Sequence, residues 1–239
     1  MALDDALLAR ARTTGETVLR VYTWSRPTLS LGRNQAANGF YDLELARLQG
    51  VEILRRPTGG RAVLHHREIT YSVTAPTANA GLRDSYNRIN RLLLHALNAL
   101  GVNAEIAGAI GRSPRPDNAP CFEAATVGEL TTGGRKLVGS AQWREDGALL
   151  QHGSILIDDD QQLIGTLSRE PQEPTHPLAT LRESLGRAPE PSELFSALEH
   201  AVLDREDKSA SALLLDSALR DAATAREDHY RSPHWTWRL

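Results

Sequence analysis

The chain carries one thiol, Cys121, and therefore one candidate sulfur nucleophile. Most cysteines are small, inert hydrophobes. Cys121 instead closes a loop rich in Gly, Pro, Arg and Asn (108–120). An accessible cysteine beside cations holds more of the thiolate that attacks carbonyls. The sequence offers Lys136, His65, His66, His152 and the arginines of 55–61 as such neighbours. Lys136 and Lys208 are the only lysines in a chain whose basic residues are otherwise arginine. An ammonium is a compact point charge where a guanidinium is a broad fork. A lysine at 136 therefore either serves a purpose that arginine cannot or survives by chance.

The stretch Arg55-Arg56-Pro57-Thr58-Gly59-Gly60-Arg61-Ala62-Val63-Leu64-His65-His66 is the second concentration of chemistry. Pro57 fixes φ and lacks an N–H. Gly59 and Gly60 permit close approaches that a Cβ would block. With Val51–Leu54 before it and Glu68–Thr74 after it, the stretch reads as a hairpin over 51–74, carrying more polar groups than a turn needs. A surface loop with solvated arginines would look similar. Two later segments repeat the theme. Val138-Gly139-Ser140-Ala141-Gln142 and Gln151-His152-Gly153-Ser154 place glycine and polar residues inside strand-like runs. Such glycines let backbone approach a ligand, and strand N–H groups can polarise a carbonyl. One such site is also what a β-bulge produces; three on consecutive hairpins suggest a shared pocket.

Several classes are excluded. The formal charge of −3 gives no broad electrostatic footprint for nucleic acid. No apolar run reaches the length of a membrane span. No metal-ligand spacing, phosphate-binding loop or dinucleotide fingerprint occurs. A single cysteine fits a reducing compartment, and Met1-Ala2-Leu3-Asp4-Asp5 is acidic where a signal peptide is basic. A soluble, cytoplasmic protein is expected.

The elements that must position these groups follow from periodicity. Helices are expected at 2–12, after Asp42 up to Gly50, at 85–100, at about 192–204 and at about 209–229. A helical segment should also start at the acidic run 158–160. The 85–100 segment is the clearest, since Ile89, Leu92, Leu93, Ala96, Leu97 and Leu100 repeat at helical spacing before Gly101. Strands are expected at 16–24, 28–31, 103–107, 126–130, 135–143 and 148–157, with a turn at 131–134 and another at 145–147. Residues 169–191 read as a surface loop, and Trp235 and Trp237 should pack back onto the body. The pattern predicts an α+β fold, a mixed, largely antiparallel sheet with packed helices. It forms one domain over 1–239 with a short helical extension at about 190–239.

Taken together, the motif from Arg55 to His65 followed by Thr70-Tyr71-Ser72-Val73 resembles the signature of the biotin/lipoate protein ligase superfamily. Gly134-Arg135-Lys136-Leu137-Val138-Gly139-Ser140-Ala141-Gln142 is similar to its lysine-bearing segment, and Leu150-Gln151-His152-Gly153-Ser154-Ile155-Leu156 to the strand that follows. Met1–Leu8, Thr28–Gly32 and the tail Tyr230–Trp237 also match, so the resemblance spans nearly the whole chain. Cys121-Phe122-Glu123 most resembles the cysteine-dependent octanoyltransferases of the LipM type. Two departures stand out. The family usually has a strand before the Met-Ala-Leu-Asp motif, and aromatic residues after the cysteine are replaced here by Ala124-Ala125-Thr126-Val127-Gly128.

The resemblance implies an α/β-type catalytic domain and acyl transfer from octanoyl-acyl carrier protein to a lysine of a lipoyl-domain protein or glycine-cleavage H protein. It implies Cys121 as nucleophile and Lys136 as the group that holds the acyl carbonyl. Arg55, Gly59, Gly60, Arg61, Val63, His65, Gly139, Ser140, His152 and Gly153 would bind substrate, with His65 and His152 as pocket walls or proton shuttles. No cofactor is then needed, and a monomer is expected. An ATP-dependent lipoate ligase, using ATP and Mg²⁺, is the alternative. A non-catalytic acyl- or biotinyl-binding protein on the same scaffold is a further one.

Overall fold

A computed structural model describes residues 1–77, 81–108, 128–170 and 178–239. Cys121, most of the loop at 108–120 and the start of the strand expected at 126–130 lie outside the described residues.

The chain opens with α1 (Ala2–Thr14), whose Asp4 and Asp5 stand in the first turn, where the helix dipole favours acid, and which Gly15 ends in a left-handed conformation at φ 74°. Strands β1 (Val18–Tyr22) and β2 (Thr28–Leu31) follow. The short α2 (Leu43–Leu48) starts where the Asp42 carboxylate accepts the Leu45 N–H at 3.0 Å. Then come β3 (Glu52–Arg55), β4 (Val63–His65) and β5 (Glu68–Pro76), and α3 (Leu82–Ala99). The strands β6 (Glu105–Ile106), β7 (Leu130–Thr132), β8 (Arg135–Glu145) and β9 (Ala148–Leu156) complete the described β-structure. Helices α4 (Leu163–Leu167), α5 (Leu181–Leu185), α6 (Pro191–Arg205), α7 (Ser217–Arg231) and α8 (Pro233–Thr236) close the chain.

A six-stranded sheet runs β1-β5-β9-β8-β7-β6, with every neighbouring pair antiparallel. A second sheet, β3-β2-β4, is mixed: β2 is parallel to β3 and antiparallel to β4. The expected α+β architecture with a largely antiparallel sheet is therefore present. The hairpin expected over 51–74 is not. Its flanking strands β3 and β5 lie in different sheets, and the Arg55–Arg61 turn connects β3 to β4 around the intervening β2. Local turn signals cannot reveal this, because β2, earlier in the chain, inserts between β3 and β4, and β5 pairs elsewhere. The 169–191 stretch also differs from a surface loop in its described part. Leu178, Ala179 and Leu181 are buried, and α5 forms behind a Thr180 cap. The final long helix begins at Ser217, not near 209, where Asp216 caps it through the Leu219 N–H.

Helix α3 behaves as its periodicity dictates: Ile89, Leu92, Leu93, Ala96 and Leu97 are buried on one face of the large sheet, against Ile69, Tyr71, Val73 and Leu137. Helix α6 adds Leu194 and Leu198 to the same core. On the opposite face α1 packs Leu8 and Ala11 on Ala148 and Leu150, while α7 lies along α1 through Leu219. Trp235 is buried and Trp237 packs on the small sheet's core, as the tail was expected to do. Among the described residues no helix is long and apolar enough to cross a membrane.

One strand shows where the site must be. Along β5 apolar Ile69, Tyr71 and Val73 face the α3 core, and Glu68, Thr70, Ser72 and Thr74 alternate with them. An alternating strand normally presents its polar row to water. Here all four polar residues are buried, at 1–2% exposure. Glu68, Thr70 and Ser72 meet His65, Trp24 and Asp4 inside the protein, so a polar space lies over this end of the strand.

Two glycines are set by packing. A Cβ on Gly32 would lie 1.8 Å from the Gly60 carbonyl oxygen, and one on Gly153 would lie 2.4 Å from the Gly139 carbonyl oxygen and 2.7 Å from the Tyr71 ring. Gly59 has nothing within 4 Å of an added Cβ. Gly32→Ala and Gly153→Ala are expected to cost at least about 1–3 kcal/mol, as overpacking does, which a fall in Tm of several degrees would report. Gly59→Ala is expected to stay within about 0.5 kcal/mol of the parent. Equal melting of all three variants would contradict this packing.

Candidate functional site

Two adjacent guanidiniums at the end of β3 build the first wall. Arg55 is fully buried. Its Nε donates to the Thr236 carbonyl at 2.9 Å, and its Nη1 to those of Gly32 and Gln35 at 2.5 and 2.8 Å. Burial, with the charges of Arg238 and Arg56 adding to it, pushes its pKa down to about 10. Arg56 turns the other way. Its Nη1 donates to the Ser30 carbonyl at 2.8 Å and to Ser30 Oγ at 3.0 Å, and its Nη2 to the Gly59 and Arg61 carbonyls at 2.8 and 2.6 Å. One arginine ties the C-terminal tail to the turn after β2, and the other folds the 57–62 loop against β2.

Between this wall and the large sheet lies a pocket of about 350 Å³ of atom-free space, its mouth included. Among the described residues, Met1, Trp24, Ser30, Arg56, Val63 and His65 line it together with Tyr22, Thr70, Gly139, Ser140, Ala141, His152, Gly153 and Ser154 of the large sheet. Of the residues singled out in the sequence, Val63, His65, Gly139, Ser140, His152 and Gly153 thus come together. Arg55, Gly59, Gly60 and Arg61 do not line this space: they form and brace the loop behind it. Gly60, at φ 90°, sits against Gly32, and the Gly59 and Arg61 carbonyls hold Arg56. Lys136 is buried on β8, its Nζ 2.8 Å from Glu129 Oε1, itself buried. Cys121 lies outside the described residues. Arg56, Trp24, Ser30, Thr70 and Ser154 were missed as site residues. The signal for several of them was the polar row on β5 and β9, which reads as solvent-facing until the second sheet covers it.

The polar groups of the pocket are cross-linked. His65 is stacked on Trp24 at 4.4 Å between ring centres. Its Nε2 meets Ser30 Oγ at 2.8 Å, and its Nδ1 faces Glu68 Oε1 at 3.1 Å and Ser154 Oγ at 3.2 Å. Thr70 donates to Glu68 and receives the Trp24 indole N–H at 2.8 Å. A second network crosses the large sheet from α3. Asn90 holds the Gly128 carbonyl at 2.6 Å, Gln151 bridges Asn90 and the Tyr71 hydroxyl, and that hydroxyl meets Ser140 Oγ at 2.7 Å. Burial pushes the Tyr71 phenol up to about 12, so it stays a neutral donor and acceptor. Asp4, on α1, is wholly buried and engages Arg20, Ser72 and Tyr22 beside the same space. No group of His, Cys, Asp and Glu suited to a metal ion occurs among the described residues.

His152 faces the pocket with Nε2 2.5 Å from Thr58 Oγ1. Burial lowers its pKa from 6.5 to about 3, with the charges of Arg56 and His65 in the same direction and Asp4 opposing. The sign for stability follows. Between these two values the unfolded chain binds a proton that the folded chain does not, so acid favours unfolding. The contribution is complete above pH 6.5 and is lost as pH falls toward 3. Urea titrations should show the parent losing up to about 1.4 kcal/mol per pH unit in this window relative to His152→Gln. Parallel pH profiles for the two proteins would contradict a neutral, buried His152.

Comparison with known proteins agrees with this architecture. The family model of the lipoyl protein ligase A/B catalytic domain matches residues 1–203. The chain is 42% identical over 204 residues to the octanoyltransferase LipM of Symbiobacterium thermophilum, covering 78% of this chain and 74% of that protein. It is 48% identical over 165 residues to the octanoyltransferase LipM of Carboxydothermus hydrogenoformans, covering 67% of this chain and 61% of that one. In fold it is similar to the bipartite lipoate protein ligase of Thermoplasma acidophilum, with a TM-score of 0.79 at 19% identity, covering 99% of this chain and 89% of that chain. A family match over most of its length, carried by the same pocket-forming strands, places this chain in the lipoyl protein ligase A/B catalytic domain family.

Proposed function

We propose that this protein is an octanoyltransferase of protein lipoylation, moving an octanoyl group from an acyl carrier thioester to a lysine of a lipoyl-accepting protein through Cys121. The observation that carries this reading is the 42–48% identity to octanoyltransferases over two thirds or more of the chain. The Cys121 thiolate attacks the thioester carbonyl, the carrier thiol leaves, and the acceptor amine then displaces the cysteine to form the amide. Covalent catalysis divides one difficult transfer into two easier ones. The donor thioester supplies the activation, so neither ATP nor Mg²⁺ is required.

Within this reading each wall has a task. Val63 and Gly139 line the slot that takes the acyl chain, and Gly153 lets Tyr71 and Ser140 close its wall against β9. Lys136 presents a charge held by Glu129 near β8, to stabilise the oxyanion of each tetrahedral intermediate. A preorganised donor of that kind is worth about 3 kcal/mol. The Asn90–Gln151–Tyr71–Ser140 network fixes the opposite wall from α3.

Two outcomes are expected from assays with octanoyl-carrier and a lipoyl domain, read by the mass of the acceptor. Cys121→Ser should lose transfer by at least about 10³-fold, and Lys136→Met should lower kcat by about 10²–10³. The parent should work equally well without nucleotide. Transfer of free lipoate that requires ATP, with Cys121→Ser fully active, would replace this reading with a ligase.

A further inference from the structure

Ser30, His65 and Glu68 stand in line beside the pocket, and the transfer proposed above gives none of them a covalent or proton-transfer role. Ser30 Oγ is 2.8 Å from His65 Nε2, and His65 Nδ1 is 3.1 Å from Glu68 Oε1. An ionised carboxylate only accepts, so Nδ1 carries the ring proton and Nε2 accepts from the Ser30 hydroxyl. The ring cannot drift: Trp24 stacks on it at 4.4 Å, and the Trp24 indole anchors Thr70, which in turn donates to Glu68 at 2.5 Å. Glu68 is 1% exposed, and its second oxygen, Oε2, has no hydrogen-bond partner among the described residues. Its charge is therefore directed largely at His65 and Thr70. Arg56 Nη1 donates to Ser30 Oγ at 3.0 Å, which fixes the hydroxyl oxygen beside the pocket while its proton points to His65. Ser30, His65 and Arg56 all line the pocket.

Nucleophile, base and orienting carboxylate are the three side chains of an acyl-hydrolysing triad, which is recognised by geometry rather than by position in a chain. We propose that Ser30–His65–Glu68 is a hydrolytic triad, giving the protein a Cys121-independent activity that releases activated acyl esters and thioesters to water. The Ser30 Oγ–acyl carbon bond forms as its proton passes to His65 Nε2. The carbon–sulfur or carbon–oxygen bond of the donor then breaks, and the leaving group takes that proton. Water attacks the acyl-serine, gives its proton to His65, and the carboxylic acid leaves as Ser30 recovers the proton. Water is the only co-reactant. The octanoyl length of the probe below rests on the transfer reading; the triad itself does not.

The test uses the full chain carrying Cys121→Ala, which removes the thiol route, with p-nitrophenyl octanoate as substrate and a fluorophosphonate as covalent probe. Steady hydrolysis and a phosphonyl adduct mapped to the Ser30 peptide are expected. Ser30→Ala in the same background should lower hydrolysis by about 10²-fold or more. Adduct formation is read without altering Ser30, so a folding defect in the variant cannot account for its absence. No adduct on Ser30, or hydrolysis unchanged by Ser30→Ala, would overturn the proposal. Loss of lipoyl-domain modification in the Cys121→Ala chain bears on the transfer reading alone.

Discussion

The pocket depends on two neighbouring guanidiniums buried side by side. Arg55 is bonded to backbone carbonyls on two segments, the turn after β2 and α8. Arg56 is bonded to β2 and to the loop that leaves β3. Burying a charge costs several kcal/mol unless polar partners compensate it. Backbone carbonyls are fixed partners with no rotamers to lose, so the pair exchanges hydration for a rigid scaffold. Together with the Arg33 N–H on the Thr58 carbonyl and the Thr58–His152 bond, the pair holds the loop of Pro57, Gly59 and Gly60 against β2 and β9.

The second constraint is the polar space between the two sheets. Thr70, His65 and His152 line it, and Glu68, Ser72 and Asp4 are buried beside it. An apolar filling of the same volume would contribute more to stability, since paired polar groups at best recover their desolvation cost. A chain that keeps this many polar groups inside, mutually bonded and aimed at one pocket, has given up packing energy for preorganised donors and acceptors. Such groups stabilise developing charge without reorganising at the moment of reaction. The apolar core that offsets this cost sits on the other face of the sheet, under α3 and α6.

Much of this was legible in the sequence because it is local. The face of α3, the cap at Asp42, and the Asp146-Gly147 turn with φ values of 46° and 81° follow from residue type and period alone. The glycine-bearing segments of β8 and β9 do meet in one pocket with Val63 and His65. What failed was pairing. The run from Val51 to Thr74 looks like a hairpin, but β3 joins β2 and β4 in the small sheet while β5 joins the large one. The same missing sheet hid the roles of Arg56 and Thr70. The polar row of β5 carries the clue, but alternation alone cannot distinguish water from a covered polar cavity. Arg55 was legible as special and misplaced in kind, since it braces the tail behind the pocket. Gly153 was read as room for a ligand, whereas its missing side chain lets Tyr71 and Ser140 close against β9.

The central claim is that acyl groups pass through Cys121. The most direct measurement is to quench the protein with acid shortly after mixing with octanoyl-carrier and no nucleotide, then map the adduct by peptide mass spectrometry. The account predicts an octanoyl group on the Cys121 peptide that neutral hydroxylamine removes and that disappears when a lipoyl domain is added. An unmodified Cys121 peptide while octanoylated lipoyl domain accumulates would contradict it.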